Sequence, residues 1–80
     1  MKKIEVISID RIGLVGEISI ILSRVNGNII SHTANVSSDG TNAISHFSAD
    51  VDLEKELDND TLSRRLKKIK NVRQVKISDI

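Results

Sequence analysis

Residues that complement a small zwitterion surround the junction between the first predicted strand and the first predicted helix. Asp10 supplies a carboxylate, and Gly13 lets a ligand approach the backbone closely. The unpaired N–H groups at the start of the helix, near Leu14 and Val15, are suited to an anion. Asn28, just after the helix, carries an amide that donates or accepts. A free amino acid fits these groups, because its ammonium pairs with Asp10 and its carboxylate with the N–H groups.

Two residues of this junction also have purely structural interpretations. Gly13 is typical of a tight strand-to-helix turn, which needs its conformational freedom and no ligand. Asp10 is a common residue type at a helix N-cap, where the carboxylate accepts backbone N–H groups. The sequence leaves both interpretations open beside the binding one.

The apolar pattern changes its period at this junction. Ile4 and Val6 alternate with polar residues, which indicates a strand. From Leu14 onward the apolar residues recur at helical spacing, which indicates an amphipathic helix. This stripe consists of Leu14, Ile18, Ile21, Leu22 and Val25. A strand therefore leads directly into a helix, and the segment that begins at Asp10 connects them.

A hairpin follows the first helix. The segment Asn26–Asn28 predicts the end of that helix, with Gly27 in the left-handed conformation. Two strands are predicted over Ile29–Val36 and Ala43–Val51, and a turn over Ser37–Asn42 joins them.

We expect Asp39 and Gly40 at the two central positions of this turn, since Asp-Gly is favoured in tight hairpins. This register puts part of the second strand on the face of Phe47, and we expect that face to be core, with His32 partly buried. The residues of the second strand on this face are Ile30, His32, Ala34 and Val36. The opposite face is polar apart from Ile29 and Ile44.

The last third of the chain continues with a helix and a strand. A polar connection, Leu53–Leu57, precedes capping residues at positions 58–60 and a helix over about Thr61–Lys70, which Asn71 closes. A short strand with Val72, Val75 and Ile77 ends the pattern. The order strand, helix, strand, strand, helix, strand predicts an α+β, ferredoxin-like βαββαβ fold, with a four-stranded antiparallel sheet and two helices on one face.

The composition limits the classes of function. The 80 residues suit a single domain over 1–80, whose small core leads us to expect a second copy as partner. The sequence has no cysteine, so disulfides and thiolate chemistry are excluded. The net charge is +1, and the first residues predict a strand rather than a signal peptide or a membrane span. We therefore expect a cytoplasmic protein that contacts no membrane.

The candidate catalytic and metal-binding residues do not assemble into a site. In the predicted register His32 and His46 point to opposite faces of the hairpin, so they share no metal ion. Arg11 is a candidate for a phosphate-binding arginine, but no glycine-rich loop accompanies it. Ser8 and Ser31 lack a histidine at a spacing that makes a nucleophile–base pair. We expect no catalytic residue, no metal and no cofactor.

A basic set in the second helix and the last strand has two interpretations. One is RNA binding, and the other is a complement to the helix dipole, since Asp58 and Asp60 begin this helix and lysines end it. RNA-binding sheets stack bases on exposed aromatic rings, whereas the only aromatic residue, Phe47, is predicted to point inward. We therefore expect nucleic acid not to be the partner. The set comprises Arg64, Arg65, Lys67, Lys68, Lys70, Arg73 and Lys76.

The chain resembles ACT domains, which are small-molecule-binding regulatory modules. The resemblance rests on Asp10–Val15 and Asn26–Ile29 and extends over nearly the whole chain. Among ACT domains it looks most like those that end the bifunctional (p)ppGpp synthetase/hydrolases of the stringent response. It implies the ferredoxin-like fold, copies paired side by side or face to face, and an amino-acid site where the first loop of one copy meets the second strand of another. Ile12 departs from the pattern, since many relatives have proline there.

The residues and the resemblance together predict a non-catalytic regulatory module that forms a homodimer or a higher homo-oligomer and binds an aliphatic amino acid at the interface. The predicted ligand-binding residues are Asp10, Arg11, Gly13, Leu14, Val15, Asn28, Ile29 and Ile30. The alternatives are an oligomerisation module without a ligand and a nucleic-acid or ribosome contact domain of a larger stringent-response enzyme. The chain is either free-standing or part of, or partner to, a metabolic or (p)ppGpp-synthesising enzyme.

Overall fold

The computed structural model describes residues 1–53 and 57–80. Its elements, in chain order, are β1 (Lys2–Ile9), α1 (Leu14–Arg24), β2 (Gly27–Ser38), β3 (Ala43–Leu53), α2 (Asn59–Lys67) and β4 (Val72–Asp79). The predicted order of strands and helices is confirmed. Residues 54–56 of the predicted polar connection lie outside the described residues.

The strands form one four-stranded antiparallel sheet in the order β2-β3-β1-β4. β1 is central, because it pairs with β3 from Lys2↔Val51 to Ile9↔Ile44 and with β4 on its other side. Alternate residues of β1 are buried, and the two helices cover this face of the sheet. The ferredoxin-like fold predicted from the sequence is therefore confirmed, with β2 and β4 as its edge strands.

The core lies between the sheet and the helices and is aliphatic apart from Phe47. Leu14, Ile18 and Leu22 form the buried side of α1, as the helical spacing predicts. Each fully buried side chain of this size contributes about 1.5–3 kcal/mol to stability. The buried cluster consists of Ile4, Val6, Leu14, Ile18, Leu22, Phe47, Ala49, Val51, Leu62, Leu66 and Ile69.

The turn of the β2–β3 hairpin is longer than predicted. Ser38 pairs with Ala43, so residues 39–42 form the loop instead of a two-residue Asp-Gly turn. The Asp39 carboxylate causes this, since its Oδ1 accepts the N–H groups of Thr41 at 2.9 Å and Asn42 at 2.7 Å. From Ser31 to Ser38 the register is thereby displaced by two residues, which leaves these side chains on their predicted faces.

The two histidines illustrate this conservation of faces. His32 pairs with Ala49, while His46 pairs with Asn35, so the two side chains belong to opposite faces of the sheet. The His32 ring stacks on Phe47, with ring centroids 5.9 Å apart. His32 is nevertheless exposed rather than partly buried, because nothing among the described residues covers the outer side of its ring.

The prediction that the helix-side face of β2 is core is wrong. Ile30, His32, Ala34 and Val36 are all exposed. The reason is length: α1, with 11 residues, spans about 16 Å, whereas β2, with 12 residues, spans about 40 Å. The helix can therefore cover only the part of β2 that lies near Gly27.

A β-bulge reverses the predicted roles of two isoleucines. The register of β2 shifts between Ile29 and Ser31, so that Ile29 pairs with the buried Val51 and packs against the core. Ile30 is the extra residue and remains 54% exposed. The sequence pattern placed Ile30 inside and Ile29 outside, because a period of two carries no information about an inserted residue.

The end of α1 also differs in detail from the prediction. Asn26, with φ 58°, adopts the left-handed conformation that was expected of Gly27. Gly27 is instead tightly packed, since a Cβ there would lie 3.0 Å from the Leu22 carbonyl oxygen. The predicted closure of α2 by Asn71 agrees with its φ of 74°, although the helix itself ends at Lys67.

Charged side chains fix the end of the sheet where β1 begins. Lys2 is buried, and its Nζ donates to Asp79 Oδ1 at 2.7 Å and to Asn59 Oδ1. Asp58 caps α2, since its carboxylate accepts from Asp60 N at 2.9 Å and from the Thr61 hydroxyl at 2.6 Å. The start of β1, the start of α2 and the end of β4 are thus joined.

These contacts predict acid destabilisation. The Thr61 hydroxyl and the Asp60 N–H lower the pKa of Asp58, and Lys2 lowers the pKa of Asp79. A lowered folded-state pKa means that the unfolded chain binds the proton more tightly, so the stability present above about pH 4 is lost as the pH falls through the folded-state value. We expect the urea midpoint to fall as the pH is lowered below about 4.

Asp58→Asn tests this assignment, because asparagine still caps a helix but does not titrate. The variant is expected to fold as well as the parent at neutral pH and to lose less stability in acid. Asp52→Asn is the matched control, since its carboxylate makes no hydrogen bond among the described residues. Equal acid responses of the two variants would show that the cap does not carry the effect.

Candidate functional site

The β1–α1 loop, residues 10–13, lies at the end of the sheet where β3 and β4 begin. The N–H of Asp10 donates to the Ala43 carbonyl at 2.9 Å, and the N–H of Ile9 donates to the Asn71 carbonyl at 3.1 Å. Two neighbouring strands thereby hold the base of the loop. Ile12, at the tip, is fully exposed.

Gly13 is the N-cap of α1 and has φ 86°, a left-handed conformation that disfavours residues with a side chain. This supports the turn interpretation of Gly13. A Cβ at Gly13 would meet no atom within 4 Å, so the space beside the glycine is also open. Both interpretations therefore remain compatible with this residue.

The start of α1 has free hydrogen-bond donors. The N–H of Leu14 donates to the Arg11 carbonyl at 3.3 Å, and that of Glu17 to the Gly13 carbonyl at 3.0 Å. The N–H groups of Val15 and Gly16 have no acceptor among the described residues, and no side chain caps the helix. The positive end of the helix dipole and two donors are thus available to an anion.

The Asp10 side chain is exposed and makes no hydrogen bond or ion pair with a described residue. The alternative that Asp10 caps α1 is wrong, because the cap position belongs to Gly13. A carboxylate without a structural partner, in the loop that leads to these N–H groups, fits the ammonium of a ligand.

Arg11 has a structural role. Its Nη2 lies 2.5 Å from Glu17 Oε2, and its Nε donates to the Lys70 carbonyl at 3.4 Å. The side chain therefore ties the loop to α1 and to the connection between α2 and β4. Its contact with a ligand stays a prediction, and its position favours support of the loop.

Leu14 and Val15 occupy different environments. The Leu14 side chain is 2% exposed and belongs to the core, and its N–H is already bonded, so this residue offers little to a ligand. Val15 is exposed and has a free N–H. Gly16, which the sequence analysis did not select, joins Val15 as a donor, and its place in the first turn of the helix was the available indication.

The second predicted group lies at the other end of the sheet. Asn28 is exposed near the start of β2 and pairs with Asp52, whereas the Asp10 loop follows Ile9, which pairs with Ile44. β1 has eight residues, so the two ends are about 25 Å apart. Asp10 and Asn28 of one chain therefore do not meet. Ile30 lies near Asn28, while Ile29 is turned into the core.

A serine–histidine contact on the uncovered face of the sheet was also missed. Ser37 Oγ lies 3.2 Å from His46 Nε2. The four-residue hairpin loop creates this contact, which the predicted two-residue turn did not place. Both residues are exposed, and no described carboxylate hydrogen-bonds to His46, so the arrangement lacks the orienting group of a catalytic triad.

Residues 1–53 and 57–80 contain neither a metal-binding cluster nor a helix able to cross a membrane. No cluster of three His, Cys, Asp or Glu side chains in these ranges is arranged to hold a metal ion. No helix in the same ranges is long and apolar enough to cross a membrane.

Comparison with known proteins identifies the fold. The ACT domain from the GTP pyrophosphokinase of Chlorobium tepidum superposes with a TM-score of 0.72 at 22% identity, over 96% of this chain and 95% of that one. An ACT domain protein from Streptococcus pneumoniae gives a TM-score of 0.77 at 20% identity, over 96% of this chain and 85% of that one. This chain has the fold of an ACT domain.

The ACT fold also occurs inside longer chains. A formyltetrahydrofolate deformylase from Pseudomonas putida matches 99% of this chain with a TM-score of 0.74 at 7% identity, and the match covers 28% of that enzyme. No protein-family model matches the chain, and no curated protein matches it. The likeness to ACT domains is therefore a likeness of fold.

Two glycine substitutions test the loop geometry. Gly13→Ala is expected to lower the free energy of unfolding by about 1–2 kcal/mol, because a side chain is strained at positive φ. Gly16→Ala, two residues into the helix region, is expected to raise it by up to ~1 kcal/mol, because alanine favours a helix. Urea denaturation measures both.

The contrast between the two variants decides the outcome, since each adds one methyl group that meets no other atom within 4 Å. Equal effects of the two substitutions would contradict the left-handed assignment of Gly13. The strain also means that loss of ligand binding in Gly13→Ala would not by itself locate the ligand.

Proposed function

We propose that this chain is a non-catalytic regulatory domain that binds an aliphatic amino acid between two copies of itself. The observation that carries the proposal is the separation of the two half-sites: Asp10 and the α1 start lie at one end of the sheet, and Asn28 lies at the other. Both half-sites are exposed. The first has the Asp10 carboxylate and the free N–H groups but no side-chain amide, and the second has the Asn28 amide but no free helix N–H groups.

The first half-site recognises the charged groups of an amino acid. The Asp10 carboxylate accepts from the ammonium, and the N–H groups of Val15 and Gly16 donate to the carboxylate. The Val15 side chain is apolar and exposed, which favours an aliphatic ligand over a charged one.

The second half-site comes from the partner copy. Asn28 supplies an amide that hydrogen-bonds to either charged group, and Ile30, which is 54% exposed, adds apolar surface. A single loop at the protein surface encloses little of a ligand, so the first half-site alone leaves the ligand exposed. The partner's Asn28 and Ile30 would cover part of this exposed ligand surface.

Edge pairing of β2 is the proposed dimer contact. β2 is an edge strand of 12 residues, and Ile30 and Val36 on it are 54% and 59% exposed. Such an edge presents unpaired backbone groups that another strand can satisfy. A two-fold axis near Thr33, midway between these two residues, pairs β2 antiparallel with its copy and inverts the partner. The partner's Asn28 end then lies level with the Asp10 end of the first chain.

Regulation follows from linkage. A ligand that bridges two copies binds one arrangement of the dimer more tightly than others, and it shifts the population towards that arrangement by this difference in affinity. The likeness to the ACT domain of a GTP pyrophosphokinase supports an enzyme, in the same chain or as a partner, as the recipient of this control. The absence of cysteine from the sequence fits a reducing, cytoplasmic location.

The second candidate is an oligomerisation domain without a ligand. The fully exposed Ile12 favours it, because an isoleucine at the loop tip makes the loop less rigid than a proline would. A nucleic-acid contact is less favoured, since the only aromatic residue of the sequence, Phe47, is 2% exposed and offers no surface on which bases stack.

Calorimetry distinguishes the first two candidates. We expect titration with valine, leucine or isoleucine to give saturable heat, and Asp10→Ala to weaken binding roughly 10- to 100-fold through loss of a charged hydrogen bond. Glu5→Gln, which removes a carboxylate in the middle of β1, away from both ends of the sheet, is the control and should bind normally. A dimer that gives no heat with any amino acid would instead support the oligomerisation domain.

Cross-linking tests the edge contact. The sequence has no cysteine, so Thr33→Cys introduces a single thiol, and antiparallel pairing about a two-fold axis there brings the two Cα atoms to about 4.5–5.5 Å. This separation suits a disulfide. Mild oxidation should give a covalent dimer, while Gln74→Cys on the opposite edge strand, β4, should give little. Equal cross-linking at both edges would refute the pairing.

A further inference from the structure

A groove runs between α1 and α2 on the outer side of the helix layer. It has a volume of about 400 Å³ and is lined by Ile21, Arg24, Arg65 and Lys68. A second hollow of about 320 Å³ continues it, sharing three of these residues. The second hollow is lined by Glu17, Ile20, Ile21, Arg24, Lys68 and Ile69. We call the combined feature the helix groove.

The helix groove combines an apolar strip with uncompensated positive charge. Ile20 is 54% exposed, although it is a large aliphatic residue. Arg24, Arg65 and Lys68 are exposed, and they form no ion pair with any of residues 1–53 or 57–80. The acid at the end of the groove, Glu17, is already paired with Arg11. Like charges along one groove repel each other, and an anionic occupant relieves this repulsion.

The shape of the helix groove favours a polypeptide over a small ligand. Sites for small molecules enclose most of the ligand surface, whereas the cations and Ile20 here are exposed to solvent. Nucleic acid is not favoured either, because the sequence offers no aromatic residue besides the buried Phe47 to stack on bases. Apolar surface flanked by cations is the complement of an amphipathic helix with acidic borders.

We propose that the helix groove docks an acidic amphipathic helix of a partner polypeptide. Its apolar residues, spaced at i, i+3 or i+4 and i+7, contact Ile20 and Ile21, and its acidic residues contact Arg24, Arg65 and Lys68. α1, with 11 residues, is about 16 Å long, which accommodates two to three turns of the bound helix.

This surface is separate from the proposed amino-acid site. It lies on the helices and does not use the β2 edge, so docking does not require the amino acid or the dimer. α1 nevertheless belongs to both, because its N-cap, Gly13, lies in the proposed amino-acid site and its last residue, Arg24, lines the helix groove. A rigid shift of α1 when the amino acid binds would therefore also move the helix groove and the polypeptide docked in it.

The test uses the whole chain and a fluorescent synthetic peptide of about 14 residues, with leucines at i, i+3 or i+4 and i+7 and glutamates elsewhere. Fluorescence anisotropy at about 0.15 M salt measures its affinity. A peptide of the same composition in permuted order and a single-stranded RNA of similar length are the competing probes. We expect the amphipathic peptide to bind best.

Matched variants locate the contact. Lys68→Glu, which reverses a charge in the helix groove, is expected to weaken binding about tenfold, and Lys67→Glu, at the neighbouring residue outside the groove lining, less than about twofold. Ile20→Ser removes exposed apolar surface and is expected to weaken binding about fivefold. Thermal unfolding verifies that each variant folds, which the exposure of all three residues favours.

Four results would overturn the proposal. They are absence of peptide binding up to about millimolar concentration, equal binding of the permuted peptide, equal effects of Lys67→Glu and Lys68→Glu, and tighter binding of the RNA. The last would assign the surface to a polyanion instead of a polypeptide.

Discussion

The direction of the chain through its first three elements constrains everything that follows. β1 runs between β3 and β4 to the end of the sheet where Asp10 lies, and α1 returns the chain to the opposite end before β2 begins. The segment that follows β1 and the segment that begins β2 are thus separated by the length of a strand. A site that uses both Asp10 and Asn28 therefore requires two chains, and this requirement, rather than any pocket within one chain, is the physical basis for proposing a dimer.

The mismatch between helix and strand lengths explains why most of β2 is an uncovered edge. A residue adds about 1.5 Å to a helix and about 3.4 Å to a strand, so α1 covers less than half of β2. The rest of β2 remains an uncovered edge with Ile30 and Val36 exposed, while Lys2 and the Asp58 cap close the end of the sheet where β1 begins. The β2 edge is thus open to a partner, and the helix layer keeps a basic groove that does not compete with it.

Most of the fold followed from the sequence, because the spacing of apolar residues differs between strands and helices and each spacing marks the face that is buried. The helical stripe of Leu14, Ile18 and Leu22 and the strand alternation of β1 predicted which faces are buried. The bulge that exposes Ile30 was not predictable, since an inserted residue leaves the composition of the strand unchanged. The hairpin register depended on one carboxylate, Asp39, whose choice of backbone partners a dipeptide preference does not contain.

The candidate site was predictable only in part, for a related reason. The position of the loop and its glycine was evident where the strand pattern changes to the helix pattern. Which N–H groups stay free depends on the geometry of the helix cap, so the structure has Gly16 instead of Leu14 as a free donor. Mixed dimers test the central claim most directly. Asp10→Ala and Asn28→Ala chains are combined, the mixed dimer is isolated by two different affinity tags, and calorimetry is performed at concentrations at which the weakened homodimers give no heat. If the site lies between chains, the mixed dimer regains one intact site and binds one amino acid per dimer; if it remains silent while the parent binds, the site lies within a single chain and the account is wrong.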